Sequence, residues 1–412
     1  MKFGCIGEHL PHSFSKEIHE KIASYAYEIK EIAPQDLDAF MIERDFQGIN
    51  VTIPYKEKVI PYLDFISDSA KKIGAVNTVV NHGGKLYGYN TDYMGMKALA
   101  RRIGISFKNK KVLILGTGGT GKTAYALVED EGAGQILRVS PFDVEGAVSY
   151  EEVYAHHTDA QIILNTSPVG MFPKIGDQPV DLSKFPHLEG VLDVVYNPIM
   201  TELVLSAKKA GIPSEGGLYM LVGQAVFASE IFTGSHIPES TIDRVFGEIL
   251  AEKLNVVLIG MPSSGKTTVG RKLAKRLNKE KVDIDEQITK DTGKTPAEII
   301  REQGIEAFRA IEKQTVEKLA PRGGMVIATG GGTVLDPENV KNLRRNGRIF
   351  FLDRALEKLL VTSDRPLSDS GDKLKALYEE RRPIYLSAAD VKIDGNGSIE
   401  NCVKQIEKEL KK

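Results

Sequence analysis

Short apolar runs alternate along the chain with stretches in which apolar residues recur at helical spacing. Such runs are short enough to be buried strands, and the stretches between them are long enough for helices. The runs read KFGCIG, GINVTIP, AVNTVV, KVLILG, QILRVS, AQIILN and GVLDVV, followed by NVVLIG, GMVIATGGG and GRIFFLD. The alternation predicts an α/β architecture with mostly parallel sheets.

A helical pattern near residue 250 divides the chain into two modules. Apolar residues recur at helical spacing across 238–254, and the strand NVVLIG follows with almost no linker. At 412 residues the chain is longer than a typical single domain. We therefore predict two modules, 1–250 and 251–412, joined by a helix rather than by a flexible tether.

Composition excludes several classes of function. Charged residues make up 27% and hydrophobic residues 42% of the chain, as in water-soluble globular proteins. The formal net charge of -2 gives no electrostatic basis for nucleic-acid binding. No apolar run approaches the roughly 20 residues of a membrane helix, and the first residues do not look like a secretory signal. The two cysteines lie outside any C-x-x-C pattern, so we expect a cytoplasmic protein without disulfide or zinc.

Two glycine-rich loops carry the candidate chemistry. The first, 116–123, fits both the dinucleotide pattern G-x-G-x-x-G and the triphosphate pattern G-x-x-x-x-G-K-[ST], whereas the second, 260–267, fits only the latter. A triphosphate loop needs nearby carboxylates that help to hold Mg²⁺. Asp283 and Asp285 follow the second loop at alternate positions of a predicted strand end, so both carboxylates would face one side. Nothing comparable follows the first loop, which we interpret as a dinucleotide turn.

A series of short motifs occurs in a fixed order along the first module. They are HSFS (12–15), GINVTIPYK (48–56), GAVNTV (74–79), YNTD (89–92), the glycine turn, NTSPVGM (165–171), DVVYNP (193–198) and GLYMLVGQA (217–225). In this order they resemble the shikimate dehydrogenases, which reduce 3-dehydroshikimate to shikimate with NADPH. The resemblance implies a substrate-binding part at 1–91, a Rossmann-like dinucleotide part at 92–217, and helices at 218–250 that return to the substrate part.

The resemblance also assigns roles to single residues. Lys56 and Asp92 match the catalytic pair, in which the ammonium gives a proton to the developing alkoxide and the carboxylate holds the ammonium and a substrate hydroxyl. Alone, such a pair is usually a surface salt bridge, so the ordered set of motifs carries the assignment. The other assigned residues are Ser13, Ser15 and Tyr196 for the substrate carboxylate, Thr52, Asn77 and Gln224 for the ring hydroxyls, and Gly116, Gly118, Gly119, Thr120 and Gly217 for the coenzyme.

The strand after the glycine turn departs from the family pattern. Family members often carry an Arg at its end, where it meets the 2′-phosphate of NADP, but here Ser140-Pro141 occupy that place. Arg138 and Ser140 would share one side of an alternating strand, so both are candidate coenzyme contacts, and Arg138 could replace the missing Arg. An NAD site would instead place an acid on the ribose, and Asp143 is poorly suited because it lies beyond a proline. The choice between NADP and NAD stays open.

Motifs along 255–412 resemble a second family. They read GMPSSGKTTVGRKLAKRL (260–277), VDIDEQI (282–288), EAFRAIE (306–312), ATGGG (328–332), RPL (365–367) and EERRPIY (379–385). In this order they resemble the shikimate kinases. The resemblance implies a P-loop kinase with a parallel sheet that uses ATP and Mg²⁺ to phosphorylate shikimate.

The kinase resemblance divides its residues between nucleotide and acceptor. The nucleotide set comprises Gly265, Lys266, Thr267 and Thr268 for the phosphates, Thr267 and Asp283 for Mg²⁺, and Arg365 in a lid over the phosphates. The acceptor set comprises Asp285 for the ring hydroxyls, Arg309 and Arg381 for the carboxylate, and Gly331 and Gly332 for close approach to the ring, with Glu312 orienting Arg309. Glycine runs and Arg–Glu pairs on helices are often merely structural. The kinase assignment therefore depends on the ordered set of motifs and not on any one residue.

The two resemblances name consecutive reactions, because shikimate is the product of the first and the substrate of the second. We therefore predict a bifunctional enzyme of the aromatic amino-acid route that acts on small molecules and has no nucleic-acid or membrane partner. Homo-oligomerisation and channelling of shikimate are left open. Two alternatives remain: a first module that only binds shikimate, or one that uses NAD or quinate.

Overall fold

The computed structural model describes residues 1–10, 13–359 and 370–410. The chain forms two units, Met1–Ile249 and Leu250–Lys412, and the division falls inside one helix, Ser240–Lys253. Among the described residues, no helix is both long and apolar enough to cross a membrane. Short 3₁₀ helices lie at Pro34–Asp36, Ile60–Tyr62, Leu182–Lys184, Thr333–Leu335 and Leu356–Lys358.

The first sheet of the N-terminal unit mixes parallel and antiparallel strands. Its strands are β1 (Phe3–Gly7), β2 (Tyr27–Glu31), β3 (Gly48–Val51), β4 (Phe65–Ile66), β5 (Thr78–His82) and β6 (Lys85–Tyr89), in the order β2-β1-β3-β5-β6-β4. Its helices are α1 (Ser15–Ile22), α2 (Leu37–Glu43), α3 (Asp68–Ile73) and α4 (Asp92–Arg102). Strand β5 runs antiparallel to β3 and β6, and Gly83 and Gly84, both with positive φ, close the hairpin between β5 and β6. These two strand pairs depart from the mainly parallel pattern.

The second sheet of this unit is parallel throughout and doubly wound. Its strands are β7 (Lys111–Leu115), β8 (Gln135–Val139), β9 (Ala147–Val148), β10 (Ile162–Asn165), β11 (Gly190–Asp193) and β12 (Ser214–Glu215), in the order β12-β11-β10-β7-β8-β9. The helices that follow are α5 (Gly119–Asp130), α6 (Tyr150–His156), α7 (Glu202–Lys209), α8 (Leu218–Thr233) and α9 (Ser240–Lys253). The strand order reverses between β7 and β10, and in such sheets ligands bind outside the carboxyl ends of the strands at that point.

Helix α8 leads the chain from the second sheet back to the first. It packs against α1 and α4, and the ring of Phe232 stacks on that of Phe3 with centroids 5.3 Å apart. A Cβ on Gly48 would lie 2.5 Å from the Phe232 ring, so the glycine makes room for it. The two sheets of the N-terminal unit are thereby tied together beside the candidate substrate residues.

The C-terminal unit is built on one parallel sheet. Its strands are β13 (Asn255–Ile259), β14 (Glu280–Asp283), β15 (Met325–Ala328), β16 (Gly347–Asp353) and β17 (Val391–Asp394), in the order β14-β15-β13-β16-β17. Its helices are α10 (Lys266–Leu277), α11 (Ile284–Thr292), α12 (Pro296–Gln303), α13 (Ile305–Leu319), α14 (Pro337–Arg345), α15 (Gly371–Ala388) and α16 (Ile399–Leu410). Every residue of β13 is buried, which explains the continuous apolar run that marks this central strand in the sequence.

Candidate active sites

The turn after β7 has the geometry of a dinucleotide-binding loop. Gly116 has a φ of +120°, which L side chains rarely adopt, and a Cβ there would lie 2.8 Å from Thr166 Oγ1. A Cβ on Gly118 would meet nothing within 4 Å, so the backbone is open to a ligand at this point. A Cβ on Gly121 would lie 2.4 Å from the Gly116 carbonyl oxygen, so this glycine lets α5 pack closely on the turn. Glycines of dinucleotide turns take these three roles, and Gly121 was missing from the predicted coenzyme residues.

Helix α5 begins earlier than the sequence pattern indicates. The sequence pattern predicts a helix over 122–130 after the glycine turn, whereas the helix begins at Gly119. Gly119 and Thr120 therefore belong to its first turn, whose backbone N–H groups have no partner within the helix and can bind a phosphate. Lys122, which completes the triphosphate pattern, pairs with Glu57 at 2.8 Å. This arrangement supports a dinucleotide turn rather than a second triphosphate loop.

Lys56 and Asp92 form a shielded ion pair beside this turn. Lys56 lies in the loop after β3, and Asp92 is the first residue of α4. Lys56 Nζ and Asp92 Oδ2 are 2.6 Å apart, and the two side chains are only 14% and 10% exposed. Lys56 Cδ lies 3.6 Å from the position of a Cβ on Gly119, which puts the pair next to the start of α5. A typical surface salt bridge is far more exposed, so the geometry supports a catalytic role.

Asn77 and Gln224 are connected through Thr91, the residue before Asp92. Asn77 Oδ1 accepts hydrogen bonds from the Thr91 backbone N–H at 2.7 Å and from the Thr78 hydroxyl at 3.0 Å. Gln224 Oε1 accepts one from the Thr91 hydroxyl at 3.5 Å. In the part of the chain that the structure describes, the Asn77 Nδ2 group has no partner, so it can donate to a ligand. Thr78 and Thr91, which the motifs did not single out, thus position two predicted hydroxyl-binding amides.

The predicted carboxylate-binding residues approach one another around Phe14. Ser15 is the first residue of α1, and its backbone N–H donates to Ser13 Oγ at 3.3 Å. The ring of Tyr196, which follows β11, lies 5.3 Å from that of Phe14. Burial raises the pKa of Tyr196 to about 12, so its hydroxyl stays a neutral donor. Thr52 directly follows β3 and is half-buried.

The end of β8 differs from the sequence prediction. The strand ends at Val139, so Ser140 lies beyond it, buried, with its Oγ accepting from the Phe142 backbone N–H at 3.1 Å. Arg138 Nη2 donates to the Glu145 carbonyl oxygen at 3.0 Å. Arg138 is therefore bound to the loop after β8, and Ser140 to a turn in that loop. The strand alternation that the sequence assumed for the pair does not extend to Ser140.

Two of the predicted motifs supply a buried scaffold at the carboxyl ends of β10 and β11. Asp193 Oδ1 accepts from Asn165 Nδ2 at 3.0 Å, and Asp193 Oδ2 accepts from the Thr201 hydroxyl at 2.7 Å. Burial raises the pKa of Asp193 to about 7. A Cβ on Gly217 would lie 2.0 Å from the Val194 carbonyl oxygen, so backbone packing alone requires this glycine. These residues hold the strand ends in place whether or not they also touch a coenzyme.

The loop after β13 forms a phosphate cradle at the start of α10. Gly260 and Gly265 have φ values of +148° and +96°, which close the loop around its own backbone N–H groups. Lys266 Nζ donates to the Gly260 carbonyl oxygen at 2.9 Å. The Thr267 hydroxyl donates to Asp283 Oδ2 at 2.7 Å. Thr268 follows in the first turn of α10, so the predicted nucleotide residues of this loop lie together.

Asp285 lies on a helix, contrary to the strand that the sequence predicted. Strand β14 ends at Asp283, and α11 begins at Ile284. Asp283 Oδ1 accepts from the Asp285 backbone N–H at 3.2 Å and caps the helix. Aspartate is a favoured N-cap residue, and this preference overrides the strand-like alternation of the sequence. Asp285 Oδ1 nevertheless lies 3.1 Å from the position of a Cβ on Gly330, in the segment after β15.

The glycine segment after β15 gathers the predicted acceptor residues. A Cβ on Gly332 would lie 1.9 Å from Arg309 Nη2, and one on Gly330 would lie 2.8 Å from Glu312 Oε1. Glu312 is fully buried and pairs with Arg309. A Cβ on Gly331 would also contact the phosphate loop at 2.9 Å. The missing side chains thus let a guanidinium, a carboxylate and the phosphate loop meet the same stretch of backbone.

Helix α15 contacts the predicted acceptor residues at the Gly331 carbonyl oxygen. Arg381 Nη1 donates to it at 3.0 Å, and the Tyr385 hydroxyl donates to it as well. Arg381 is buried, and its Nε has no hydrogen-bond partner among the described residues. Arg382 instead pairs with Asp353 at 2.8 Å, which supports Arg381 as the carboxylate ligand. Tyr385 belongs to the EERRPIY motif, but the sequence indicated no role for it.

One predicted residue of the kinase site, Arg365, lies outside the described residues. Its role in a lid over the phosphates stays a prediction.

Comparisons with known proteins agree with both units. The family model for the shikimate dehydrogenase substrate binding domain matches residues 5–79, and the shikimate kinase model matches residues 262–411. The NADP(+) shikimate dehydrogenase of Clostridium perfringens strain SM101 is 37% identical over 275 residues, covering 60% of this chain and 97% of the relative. The chain belongs to the shikimate dehydrogenase family. It carries a shikimate kinase domain at its C-terminal end.

Solved shikimate dehydrogenases have the same fold as the N-terminal unit. Shikimate dehydrogenase 1 from Peptoclostridium difficile is 38% identical and covers 60% of this chain and 98% of its own, with a TM-score of 0.56. A chorismate mutase/shikimate 5-dehydrogenase fusion protein from Clostridium acetobutylicum is 34% identical, covers 61% of this chain and 97% of its own, and has a TM-score of 0.57. The α/β prediction with a Rossmann-like sheet is confirmed for the shikimate dehydrogenase part.

Proposed function

We propose that this chain catalyses two consecutive reactions. The N-terminal unit reduces 3-dehydroshikimate to shikimate with NADPH, and the C-terminal unit transfers a phosphoryl group from ATP to shikimate, giving shikimate 3-phosphate. The observation that carries the first reaction is the shielded Lys56–Asp92 pair next to the dinucleotide turn. Asp285 and Arg309, gathered at the glycine segment beside the phosphate loop, support the second.

Reduction of a ketone requires a hydride on carbon and a proton on oxygen. NADPH supplies the hydride when it is bound. Lys56, as an ammonium, donates the proton to the developing alkoxide, and Asp92 holds the ammonium in position through the 2.6 Å contact. The Nδ2 group of Asn77 and the amide of Gln224 bind ring hydroxyls. The serines at the start of α1 bind the carboxylate.

Phosphorylation of shikimate is a matter of positioning and charge stabilisation. Asp285 binds the acceptor hydroxyl and receives its proton. Arg309 and Arg381 hold the carboxylate, because a guanidinium fork suits a planar anion. Glu312, fully buried and paired with Arg309, fixes the direction of that guanidinium. Lys266 and the backbone of the loop stabilise the transferring phosphoryl group.

Thr267 and Asp283 fit a Mg²⁺ site that the nucleotide completes. Mg²⁺ is usually bound by one or two carboxylates together with substrate phosphates and water, rather than by a complete protein cage. A hydroxyl and a carboxylate 2.7 Å apart at the start of α10 match that donor set. The described residues contain no group of three or more His, Cys, Asp or Glu that could form such a cage. We assign Mg²⁺ to these two residues, with Asp283 acting through water.

NADP is the proposed coenzyme, because the relative from Clostridium perfringens carries NADP(+) in its name. Arg138 is the candidate for the 2′-phosphate, although one of its nitrogens already bonds to the loop after β8. Use of NAD is the second candidate, and this engagement of Arg138 favours it. Quinate in place of shikimate is tested in the same assay.

The test is oxidation of shikimate by the purified chain without ATP, with NADP and NAD in parallel and quinate as the alternative substrate. We expect reduced coenzyme to form fastest with NADP and shikimate, and the rate to vanish in Lys56→Ala. The same variant should still phosphorylate shikimate, whereas Lys266→Ala should show the opposite loss. No oxidation with either coenzyme, in protein that phosphorylates shikimate, would reduce the first unit to a binding module.

A further inference from the structure

Arg354 lies beside the phosphate loop of the C-terminal unit, and none of the predicted roles includes it. It directly follows β16, the strand that pairs with β13 in parallel register from Asn255↔Gly347 to Ile259↔Phe351. The phosphate loop leaves the sheet from the end of β13. Arg354 Nη1 lies 3.9 Å from the position of a Cβ on Gly265, the last glycine of that loop.

The Arg354 guanidinium has no partner of its own in the described part of the chain. Its Nε is buried without a hydrogen-bond partner, and it forms no ion pair there. The adjacent Asp353 is already taken, because both of its oxygens accept from Arg382, at 3.2 and 2.8 Å. A half-buried cation without a counter-charge is unfavourable. Such a group is best explained by an anion that binds next to it.

The phosphate loop beside Arg354 is itself positive. Lys266 and the N-terminal end of α10 lie in the same loop, and the end of a helix dipole adds partial positive charge. Thr267 and Asp283 meet on the other side of β13, because β14 and β15 flank it there while β16 flanks it on the Arg354 side. The anion that reaches Arg354 therefore lies across β13 from the Thr267–Asp283 pair.

We propose that Arg354 binds the phosphate chain of the nucleotide in the phosphate loop and sets the affinity of this unit for ATP and ADP. The proposal rests on the proposed kinase function and adds a contact that the family motifs do not include. Because Arg354 lies beside Gly265 of the phosphate loop, whereas the predicted acceptor residues meet the glycine segment after β15, the contact should affect nucleotide binding and not shikimate binding. Among the described residues nothing compensates the Arg354 charge, and the nucleotide would neutralise it.

The test compares Arg354→Met and Arg354→Lys with the full chain, by calorimetric titration with ADP in the presence of Mg²⁺ and by kinase kinetics. Arg354→Met keeps an unbranched apolar stem and removes the guanidinium with its charge. We expect at least a tenfold rise in the Kd for ADP and in the KM for ATP, equivalent to about 1.4 kcal/mol. Arg354→Lys should give values between those of Arg354→Met and the parent protein. The KM for shikimate should stay unchanged in both variants.

Thermal unfolding separates this role from a structural one. Without nucleotide, Arg354→Met should unfold at the same temperature as the parent protein or higher, because it removes a charge that has no counter-charge among the described residues. With ADP, its gain in melting temperature should be smaller than that of the parent. Arg348→Met is the matched control, since Arg348 lies on β16, the strand that Arg354 follows, and donates to the Glu409 carbonyl oxygen at 2.7 Å. Its Kd for ADP should equal that of the parent.

A Kd for ADP in Arg354→Met within twofold of the parent value would overturn the proposal. So would an equal rise in the KM values for ATP and shikimate, because that would indicate general damage to the site. If the parent protein itself fails to bind ADP, the proposed kinase function fails, and the inference fails with it. Failure of the kinase function can be distinguished from failure of the Arg354 inference, because it is seen in the parent protein before any variant is compared.

Discussion

Replacement of Gly332 by alanine tests the acceptor site through one steric contact. A Cβ there would lie 1.9 Å from Arg309 Nη2, 2.5 Å from Cζ and 2.6 Å from Nη1, so the whole guanidinium stands in its place. Gly332 has a φ of -116°, which alanine adopts without strain. Gly332→Ala must therefore displace the Arg309 side chain while leaving the backbone unchanged.

The expected effect follows from the role of Arg309 as a carboxylate ligand. Hydrogen bonds to charged groups contribute about 1.5–3 kcal/mol, so displacement of the guanidinium should raise the KM for shikimate about ten- to hundredfold. The KM for ATP should stay within about twofold, because the new Cβ meets Arg309 rather than the phosphate loop. Some loss of stability is also expected, up to about 3 kcal/mol, because the buried Glu312 loses its pairing geometry with Arg309.

The assay measures initial rates of shikimate phosphorylation at saturating ATP, below the melting temperature of the variant. Gly371→Ala is the matched control, since a Cβ there would meet nothing within 4 Å. In an Arg309→Met background, Gly332→Ala should add no further rise in the KM for shikimate, because the side chain it displaces is already gone. A KM for shikimate that is unchanged in Gly332→Ala, or additive effects of the two substitutions, would refute this reasoning.

Three further predictions concern other groups. Asp285→Asn should lower the rate of phosphorylation by about 10²–10⁴-fold with the Kd for ADP unchanged; a loss of less than tenfold would exclude proton transfer to this carboxylate. Arg138→Ala should raise the KM for NADP and leave that for NAD unchanged, whereas equal changes would mean that Arg138 only holds its loop. Burial lowers the pKa of His19 from 6.5 to about 3. The buried neutral imidazole therefore contributes its full stability above pH 6.5, and this contribution is lost as the pH falls towards 3. The free energy of unfolding in urea should fall by about 2 kcal/mol between pH 7.5 and 5. His19→Gln should lack this fall. Equal pH dependence in both proteins would contradict a role of His19 in it.

Much of the fold could be predicted because the central strands of each sheet are buried on both faces. The uninterrupted apolar run of β13 marks a central parallel strand, and the glycine turn after β13 marks the start of α10. The hairpin after His82 could also have been predicted, because paired glycines between apolar runs favour a two-residue turn. The general prediction of parallel sheets concealed that local signal.

Other features depend on contacts that a local pattern cannot show. The alternation around Asp283 is equally compatible with a strand, and only the capping of α11 by its carboxylate settles the outcome. The start of α5 could not be predicted because glycine has a low helix propensity. Gly121 is nevertheless required in the first turns of this helix, because any side chain there would meet the Gly116 carbonyl oxygen. The role of Gly332 depends on Arg309 from a different helix, so no spacing within one motif could reveal it.

The central claim, two consecutive reactions on one chain, is tested most directly by supplying 3-dehydroshikimate, NADPH, ATP and Mg²⁺ together and following both cofactors and shikimate 3-phosphate. We predict that NADPH oxidation precedes phosphorylation and that each shikimate 3-phosphate formed corresponds to one NADPH and one ATP consumed. Lys56→Ala should then form no product from 3-dehydroshikimate, yet form it from added shikimate. Shikimate 3-phosphate that appears without NADPH oxidation, or NADPH oxidation that persists in Lys56→Ala, would contradict the account.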